Sequence, residues 1–221
     1  MARTAILLGA TGLVGGHCLD LLLEGDAYDR VVSLGRRPVA REHPRLGQHA
    51  IDFDRPDEWR ELVRGDDLFC CLGTTIKNAG SQEAFRRVDF EYPLAAAHAA
   101  AANGVGQYLI VTALGADATS GVFYNRVKGE VEDALRGAGL PSLQIFRPSL
   151  LLGERAELRI GERVAEAVSR ALPFVFSGPL RKYRPVEARD VARAMLAVAA
   201  RRPAGANVFE SNAIQEIAAG A

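Results

Sequence analysis

Short apolar runs alternate with longer amphipathic stretches along the 221 residues of the chain. Runs of strand length lie at Ala5–Leu8, Arg30–Leu34, Gln48–Phe53, Leu68–Leu72, Gln107–Thr112, Ser142–Phe146 and Asn207–Glu210. Helical patterns separate them, at residues 13–23, 56–63, 82–88, 92–103, 163–172 and 190–200, with a further helix beginning near Phe123. Central strands that are apolar throughout are typical of a sheet covered on both faces. The alternation therefore predicts an α/β fold with a doubly wound parallel sheet.

Three glycines lie between the first strand and the first helix. Gly9, Gly12 and Gly15 have the spacing G-x-x-G-x-x-G. Glycine lets the backbone approach a pyrophosphate closely, and the following helix start offers unpaired N–H groups and a positive dipole end. The motif in this context predicts a dinucleotide-binding (Rossmann) turn. A tight strand-to-helix turn without a ligand is the alternative.

The end of the second strand bears on the choice of dinucleotide. An acidic residue about 20 positions after the glycines is typical of NAD sites, where it accepts from the ribose 2′-hydroxyl. Here the chain reads Gly35-Arg36-Arg37. Two guanidinium groups favour a 2′-phosphate, so we expect NADP(H) in preference to NAD(H). The alternative is that Arg36 and Arg37 belong to a solvated loop.

Two further strand ends are predicted to lie near the cofactor. Asp52 lies at the end of the third strand, and it either approaches the adenine or caps the helix predicted at residues 56–63. Leu72, Gly73 and Thr74 lie at the carboxyl end of the fourth strand. In open α/β sheets, ligands bind at the carboxyl ends of the strands near the point where the strand order reverses.

The candidate catalytic pair is Tyr124 and Lys128, spaced as Tyr-x-x-x-Lys. Residues four apart share one face of a helix, so both side chains are expected in one cleft. A phenol ordinarily ionises near pH 10, and a neighbouring ammonium favours its ionised form. Such a tyrosine can protonate a carbonyl oxygen during reduction, or remove the hydroxyl proton in the reverse direction. Lys128 is also expected to hold the nicotinamide ribose.

These motifs together resemble the short-chain dehydrogenase/reductase superfamily, in its extended and atypical branches. More closely, the chain resembles the Tat-interacting oxidoreductase family. The resemblance is carried by Gly9–Gly12, Gly35–Arg37, Cys70–Thr75, Val88-Asp89, Val127–Glu132, Phe146–Pro148, Asp190–Met195 and Asn212–Ile214. The run Cys-Cys-Leu-Gly-Thr-Thr is the most specific of these segments.

The resemblance implies an NADPH-binding fold. It places Thr11, Gly12, Leu13, Val14, Arg36, Arg37, Leu72, Gly73, Tyr124 and Lys128 at the cofactor. It also brings the loop from Leu151 to Arg159 near it.

One position departs from the superfamily pattern, which usually has a serine or threonine hydroxyl at the end of the fifth strand. Here the chain reads Val111-Thr112-Ala113. Thr112 can serve as this hydroxyl. If the relevant position is Ala113, the hydroxyl is missing and Ser120 has to reach in from the loop. A donor to a developing oxyanion is worth a few kcal/mol, so this position matters for catalysis.

Two functions remain open on these residues. The first is an NADPH-dependent oxidoreductase that transfers hydride to or from a small carbonyl or alcohol substrate. The second is a non-catalytic NADPH-binding sensor or regulatory module that acts through protein partners. A sugar-nucleotide epimerase or dehydratase is disfavoured, because such enzymes carry a larger C-terminal substrate domain. We expect a single domain over residues 1–221, with residues 153–184 as a small substrate cap.

Composition narrows the remaining classes. The formal net charge is zero and no apolar run is long enough to span a membrane, so neither nucleic acid nor a membrane is expected as a partner. The three cysteines fit neither a disulfide framework nor a metal site, and the four histidines lack ligand spacing. These features and the lack of a leader pattern predict a cytoplasmic protein, as a monomer or homodimer.

Overall fold

The computed structural model describes residues 2–153 and 183–221. In that part of the chain the main sheet has seven strands, with the order β3-β2-β1-β4-β5-β6-β9 and every neighbouring pair parallel. They are β1 (Thr4–Leu8), β2 (Arg30–Gly35), β3 (Leu46–Ala50), β4 (Asp67–Cys70), β5 (Gln107–Val111), β6 (Ser142–Arg147) and β9 (Gly205–Glu210). A small separate sheet pairs β7 (Leu151–Leu152) with β8 (Val186–Glu187) in parallel. The predicted doubly wound parallel fold is confirmed.

The described helices are α1 (Leu13–Glu24), α2 (Pro56–Trp59), α3 (Ile76–Ala79), α4 (Gln82–Arg86), α5 (Tyr92–Ala102), α6 (Phe123–Arg136), α7 (Ala188–Arg201) and α8 (Ser211–Ala219). On one face of the sheet α1 packs against α7, and α7 packs against α8. On the other face lie α5 and α6. None of these helices is both long and apolar enough to cross a lipid bilayer.

The apolar strands are explained by helices on both sides of the sheet. Successive strand side chains point to opposite faces. In β1, Ala5 and Leu7 join the core under α1 and α7, whereas Ile6 and Leu8 join the core under α5 and α6. All four are fully buried. A strand covered in this way requires apolar residues at every position, as the sequence has them.

The strand order reverses between β1 and β4. From β1 the sheet continues through β2 to β3, and from β4 it continues through β5 and β6 to β9. The segments that leave the carboxyl ends of β1 and β4 therefore diverge at this point. Ligand crevices in open α/β sheets form at such a position.

The helices predicted at residues 82–88 and 92–103 form one continuous helical segment. A π-helical turn, Arg87–Glu91, joins α4 to α5, and the amide of Tyr92 donates to the carbonyl of Arg87. Pro93 has no N–H group and cannot make an α-helical bond one turn back, so the wider turn precedes it. Such turns are common at functional sites.

Other boundaries differ from the sequence-based expectation. The third strand is Leu46–Ala50 and not Gln48–Phe53. The helix predicted at residues 56–63 is α2 followed by a 3-10 turn, Arg60–Leu62. The helix predicted at residues 163–172 lies outside the described residues. So do Arg159 and nearly all of the cap predicted at residues 153–184.

Candidate active site

The turn after β1 is built for close backbone contact. Gly9 has a φ of +84°, and a Cβ at this position would lie 2.5 Å from the carbonyl oxygen of Cys71, which follows β4. A Cβ on Gly15 would lie 2.1 Å from the carbonyl oxygen of Gly9. Both positions therefore require glycine, because α1, this turn and the exit of β4 are packed backbone against backbone.

The N-terminus of α1 remains open to a ligand. Gly12 is the N-cap residue, no side chain caps this end, and the first turn has no acidic residue. The amide of Gly12 donates to the carbonyl of Gly9 at 2.8 Å, which closes the turn. The first N–H groups of a helix have no intrahelical acceptor, so this end can bind an anionic group.

A cavity of about 600 Å³ lies in front of this turn. It is lined by Gly9, Ala10, Thr11, Gly12, Ser33, Gly35, Arg36, Arg37, Phe53, Cys71, Leu72, Gly73, Thr74, Asn78, Val88 and Tyr92. We call it the cofactor cavity. Eight of the residues that we predicted at the cofactor line it: Gly9, Thr11, Gly12, Arg36, Arg37, Leu72, Gly73 and Thr74. The carboxyl ends of β1, β2 and β4 bring these residues together.

Other predicted cofactor residues lie behind this wall. Val14 is buried in the core under α7, and Gly15 supports the turn. Leu13 lies close to Gly153, because a Cβ on Gly153 would be 2.8 Å from the Cδ1 atom of Leu13. Leu151 packs against the same apolar core as Leu13.

Asp52 does not cap α2, and it does not line the cofactor cavity. Its carboxylate accepts the amide of Asp54 at 3.0 Å, and its carbonyl accepts the indole N–H of Trp59 at 2.9 Å. The N-cap residue of α2 is Arg55. Asp52 lines a separate cavity, whereas the next residue, Phe53, lines the cofactor cavity. The strand ends at Ala50, three residues earlier than predicted, and this changes which side chain faces the site.

Arg36 and Arg37 are exposed at the wall of the cofactor cavity. Neither guanidinium makes a hydrogen bond or an ion pair with a residue in the described part of the chain. A cation without a protein partner, beside a concave surface, is free to bind a ligand anion. This arrangement differs from that of Arg41, which pairs with Asp20 nearby.

A second cavity of about 630 Å³ contains Tyr124. It is lined by Ala113, Leu114, Gly115, Tyr124, Asn125, Arg147, Pro148, Ser149, Leu150, Tyr183 and Glu210. We call it the substrate cavity. Tyr124 lies in the first turn of α6, half-buried, with its ring centroid 5.5 Å from that of Phe85.

Lys128 lies one turn further along α6, behind the wall of the cofactor cavity. A Cβ on Gly73 would lie 3.9 Å from its Nζ atom. Lys128 is only 5% exposed, and its Nζ lies 2.7 Å from Oδ1 of Asp89. Burial opposes the charge of Lys128, but Asp89 and Tyr124 outweigh this effect and raise the pKa of the lysine above its usual value. The lysine is therefore held as an ammonium next to both cavities.

Asp89 is a site residue that the sequence analysis did not assign. It lies in the π-helical turn and is 1% exposed. Its other carboxylate oxygen accepts the backbone N–H of Thr74 at 3.0 Å. Asp89 thus joins the cofactor-cavity loop to Lys128 on α6. The sequence signal was the Val88-Asp89 pair, a carboxylate on an otherwise apolar helix face.

Neither candidate hydroxyl reaches the substrate cavity. Thr112 is 5% exposed, and its hydroxyl donates to Oε1 of Glu132 at 2.7 Å. Glu132 is also held by Arg147, whose Nε lies 2.9 Å from the same oxygen. The hydroxyl of Ser120 accepts the amide of Val122 at 3.1 Å, and Ser120 does not line the cavity. Ala113, the other position considered for this group, lines the cavity and has no hydroxyl.

Comparison with known proteins decides the family. A family model described as NAD(P)H-binding matches residues 9–202. The chain belongs to this NAD(P)H-binding family. The match includes the glycine turn, the second strand end, Asp89, and the pair Tyr124 and Lys128.

Curated relatives of this family member agree with the resemblance found from its motifs. Protein HTATIP2 of Rattus norvegicus is 36% identical over 175 residues, which cover 77% of this chain and 72% of the relative. Protein FMP52, mitochondrial, of Candida albicans is 30% identical over 196 residues, which cover 86% of this chain and 85% of the relative.

The mitochondrial relatives correct one prediction. FMP52 proteins of Candida albicans, Scheffersomyces stipitis, Coccidioides immitis and Meyerozyma guilliermondii are all named mitochondrial. The expectation of a cytoplasmic protein is wrong on this finding. It rested on composition and on the lack of a leader pattern. Neither property distinguishes the cytosol from a mitochondrial compartment, because both are aqueous.

Solved structures share the fold of this NAD(P)H-binding chain at low sequence identity. The Bordetella bronchiseptica enzyme WbmH in complex with NAD+ matches with a TM-score of 0.73 and 18% identity, over 99% of this chain and 80% of that one. MoeE5 in complex with UDP-glucose and NAD matches with a TM-score of 0.71 and 15% identity, over 98% and 81%. At these identities the likeness concerns the fold alone.

The residues of this chain fit a bound dinucleotide. The two glycine positions at which a Cβ would meet backbone form a close cradle, and it opens on the uncapped N-terminus of α1. The cofactor cavity continues from there to the end of β2. Within the described residues, no group of three or more His, Cys, Asp or Glu side chains is placed to hold a metal ion.

Proposed function

We propose that this protein is an NADPH-dependent oxidoreductase that transfers hydride to or from a small carbonyl or alcohol substrate. The observation that carries the proposal is the position of α6 between the two cavities. Tyr124 lines the substrate cavity, and Lys128, one turn later, lies behind Gly73 of the cofactor cavity. One helical turn thus connects a proton donor to the place where a reductant would bind.

Each residue of the pair has a separate task in this proposal. Bound NADPH supplies the hydride. Tyr124 donates its phenolic proton to the carbonyl oxygen, or accepts the hydroxyl proton in the reverse direction. Lys128 places a positive charge near the phenol and the cofactor ribose, and Asp89 fixes the direction of its side chain. The open helix end at Gly12 holds the pyrophosphate.

The preference for NADP(H) over NAD(H) is part of the proposal. The guanidinium groups of Arg36 and Arg37, which pair with no residue in the described part of the chain, support it. A ribose 2′-phosphate is an anion that two arginines can bind. Replacing both by alanine should raise the dissociation constant for NADPH by at least 10-fold more than that for NADH, measured by fluorescence titration. Equal losses for the two dinucleotides would contradict the assignment.

The proposed reaction is tested by Tyr124→Phe. The variant should bind NADPH as the wild type does and should lose turnover of a broad carbonyl panel by at least 100-fold, followed by NADPH absorbance. Tyr183→Phe is the matched control, because it removes a second phenol from the same cavity. Full activity in Tyr124→Phe would exclude the phenol as the acid.

A second function is supported by one observation. Ala113, just after β5, lines the substrate cavity, and the hydroxyl of the preceding Thr112 is bound to Glu132. A cavity without this donor suits a non-catalytic NADPH-binding sensor that acts through protein partners. If that is the function, Tyr124→Phe leaves cofactor-dependent partner binding intact, and no carbonyl in the panel is reduced by the wild type.

The proposal also covers the organisation of the chain. We treat residues 1–221 as one NAD(P)-binding domain, with residues 153–184 as a small substrate cap. The family match over residues 9–202 supports a single unit. We propose that the domain acts as a monomer or homodimer, and size-exclusion chromatography with light scattering tests this.

A further inference from the structure

The substrate cavity lacks the strand-end hydroxyl that was expected to assist carbonyl reduction. Negative charge builds on the carbonyl oxygen as hydride arrives, and a second hydrogen bond beside the acid stabilises it. Thr112 is committed to Glu132, and Ala113 has no hydroxyl. If the protein is a reductase, another side chain of the same cavity must supply this bond.

Asn125 has the required chemistry and position. It follows Tyr124 directly in α6, and both residues line the substrate cavity. Its side-chain amide makes no hydrogen bond with any residue in the described ranges, although its backbone carbonyl accepts the amide of Asp117 at 3.0 Å. An amide NH₂ group offers two donors, and Asn125 carries this group at the wall of the substrate cavity.

Gly115 provides the space for this amide. It has a φ of +83°, and a Cβ at this position would lie 3.3 Å from Nδ2 of Asn125. A larger residue would be strained in this backbone conformation and would press on the amide. The loop after β5 therefore approaches Asn125 closely without forming a hydrogen bond to its side chain.

Two other polar residues on the cavity wall are already engaged. The hydroxyl of Ser149 donates to the carbonyl of Arg184. Arg147 binds Glu132 through Nε and a terminal nitrogen, at 2.9 and 2.5 Å, and this pairing raises the pKa of the guanidinium despite its partial burial. Neither side chain is as free to turn towards a substrate as Asn125 is.

We propose that the side-chain amide of Asn125 donates the second hydrogen bond to the substrate carbonyl oxygen, in place of the missing strand-end hydroxyl. This inference rests on the proposed function. The carbonyl carbon accepts hydride from NADPH, which leaves as NADP+, and the oxygen takes the phenolic proton of Tyr124. Asn125 keeps both of its protons and contributes only the hydrogen bond. Solvent then reprotonates Tyr124.

The test compares two substitutions with a rescue. Asn125→Asp is nearly isosteric but removes the donor, and Asn125→Leu removes all polarity. With 4-nitrobenzaldehyde as the probe, each should lower kcat/KM by about 10²–10³-fold. Adding Ala113→Ser to Asn125→Leu puts a hydroxyl on the cavity wall and should raise kcat/KM again by about 10-fold. Asn207→Asp is the control, since Asn207 lies on β9, does not line the substrate cavity, and donates its side-chain amide to the carbonyl of Ala204.

A binding measurement supplies a readout that is independent of turnover. Isobutyramide has a carbonyl oxygen that NADPH does not reduce, and its binding to the NADPH complex is followed by cofactor fluorescence. Asn125→Leu should weaken this binding at least 10-fold and leave the dissociation constant for NADPH unchanged. A general folding defect would instead weaken the binding of both isobutyramide and NADPH.

The outcomes separate this inference from the proposed function. If the Asn125 variants keep kcat/KM and isobutyramide binding within 3-fold while Tyr124→Phe is inactive, the inference is overturned and the reductase remains. If the wild type neither reduces 4-nitrobenzaldehyde nor binds isobutyramide, the cavity is not a carbonyl site and both fall. Loss in both Asn125 variants with rescue by Ala113→Ser supports the inference.

Discussion

Two buried aspartates lie at opposite ends of the same sheet. Asp67 begins β4 at the amino end of the strands, and Asp89 lies in the π-helical turn beside the carboxyl ends. They are 0% and 1% exposed, respectively. Burial alone therefore does not distinguish them, although burying a carboxylate is costly in either place.

Their partners do distinguish them. Asp67 accepts hydrogen bonds from the side chains of Arg3, Tyr28 and Gln107, and Arg202 lies 3.6 Å away. All four belong to the scaffold at the amino end of the sheet, and none of them lines the cofactor cavity or the substrate cavity. This acid fastens the first strand, the end of α7 and the middle of the sheet to one another.

Asp89 instead connects parts of the candidate site. One oxygen holds Nζ of Lys128 at 2.7 Å, and the other holds the amide of Thr74 at 3.0 Å. The walls of the cofactor and substrate cavities carry side-chain donors with no partner in the described residues, on Arg36, Arg37 and Asn125. The end of the sheet that carries the candidate site is thus distinguished by polar groups that have no partner in the described residues. The buried charge alone does not distinguish it.

The largest effect expected from this comparison is on stability, at the amino end. Asp67→Asn removes the charge that Arg3 and Tyr28 face, and breaking a buried pair typically costs 3–5 kcal/mol. Since Arg3 and Arg202 are partly exposed and can regain water, we expect about 3 kcal/mol less free energy of unfolding, measured with urea. NADPH affinity of the folded variant should stay within 2-fold of wild type. A larger loss of affinity would mean that the two ends are coupled.

At the carboxyl end, the main effect should be on the site. Asp89→Asn keeps an acceptor for the amide of Thr74 but removes the charge that orients Lys128. We expect kcat/KM to fall by about 10- to 100-fold, as for other residues that position a reacting group. Asp20→Asn, which breaks an exposed ion pair with Arg41, is the charge-matched control and should leave the rate unchanged.

A double substitution separates stability from function at this end. Asp89→Leu with Lys128→Met replaces both buried charges by apolar groups, and such replacements are often neutral for stability. The double variant should unfold at nearly the wild-type urea concentration and still lack activity. If activity returned together with stability, Asp89 and Lys128 would have only a scaffold role, like Asp67.

Local patterns in the sequence predict much of this arrangement. The strand, glycine turn and helix around Gly9 depend on neighbouring residues, and so does the spacing of Tyr124 and Lys128. The role of Asp89 depends on the wider turn before Pro93 and on packing against a distant helix. The diversion of Thr112 to Glu132 likewise requires β5, α6 and β6 to be in place. Pairings between elements far apart in the chain leave no periodic signal in one sequence.

The smallest expected effect is a change in pH dependence at the amino end. Burial, and then Asp67, raise the pKa of Tyr28 far above its usual value. Above about pH 10 the unfolded chain loses this proton and the folded protein keeps it, so stability falls by about 1.4 kcal/mol per pH unit for this tyrosine. Tyr28→Phe should cost about 2 kcal/mol at pH 7, through its lost hydrogen bond to a carboxylate. The difference in unfolding free energy between Tyr28→Phe and wild type, measured with urea, should then shrink between pH 10 and 11.5.

A second tyrosine provides the comparison. Burial and a hydrogen bond to Asp54 raise the pKa of Tyr92, at the cofactor cavity, to about 12, so its contribution to the alkaline loss ends near that pH. Tyr92→Phe should therefore reduce the loss of stability with rising pH only between about pH 10 and pH 12. If the plots of unfolding free energy against pH stay parallel for Tyr28→Phe and wild type from pH 7 to 11.5, the fold does not hold the Tyr28 proton. The Asp67 cluster would then be more open to water than its burial indicates, and the contrast with Asp89 would be weaker.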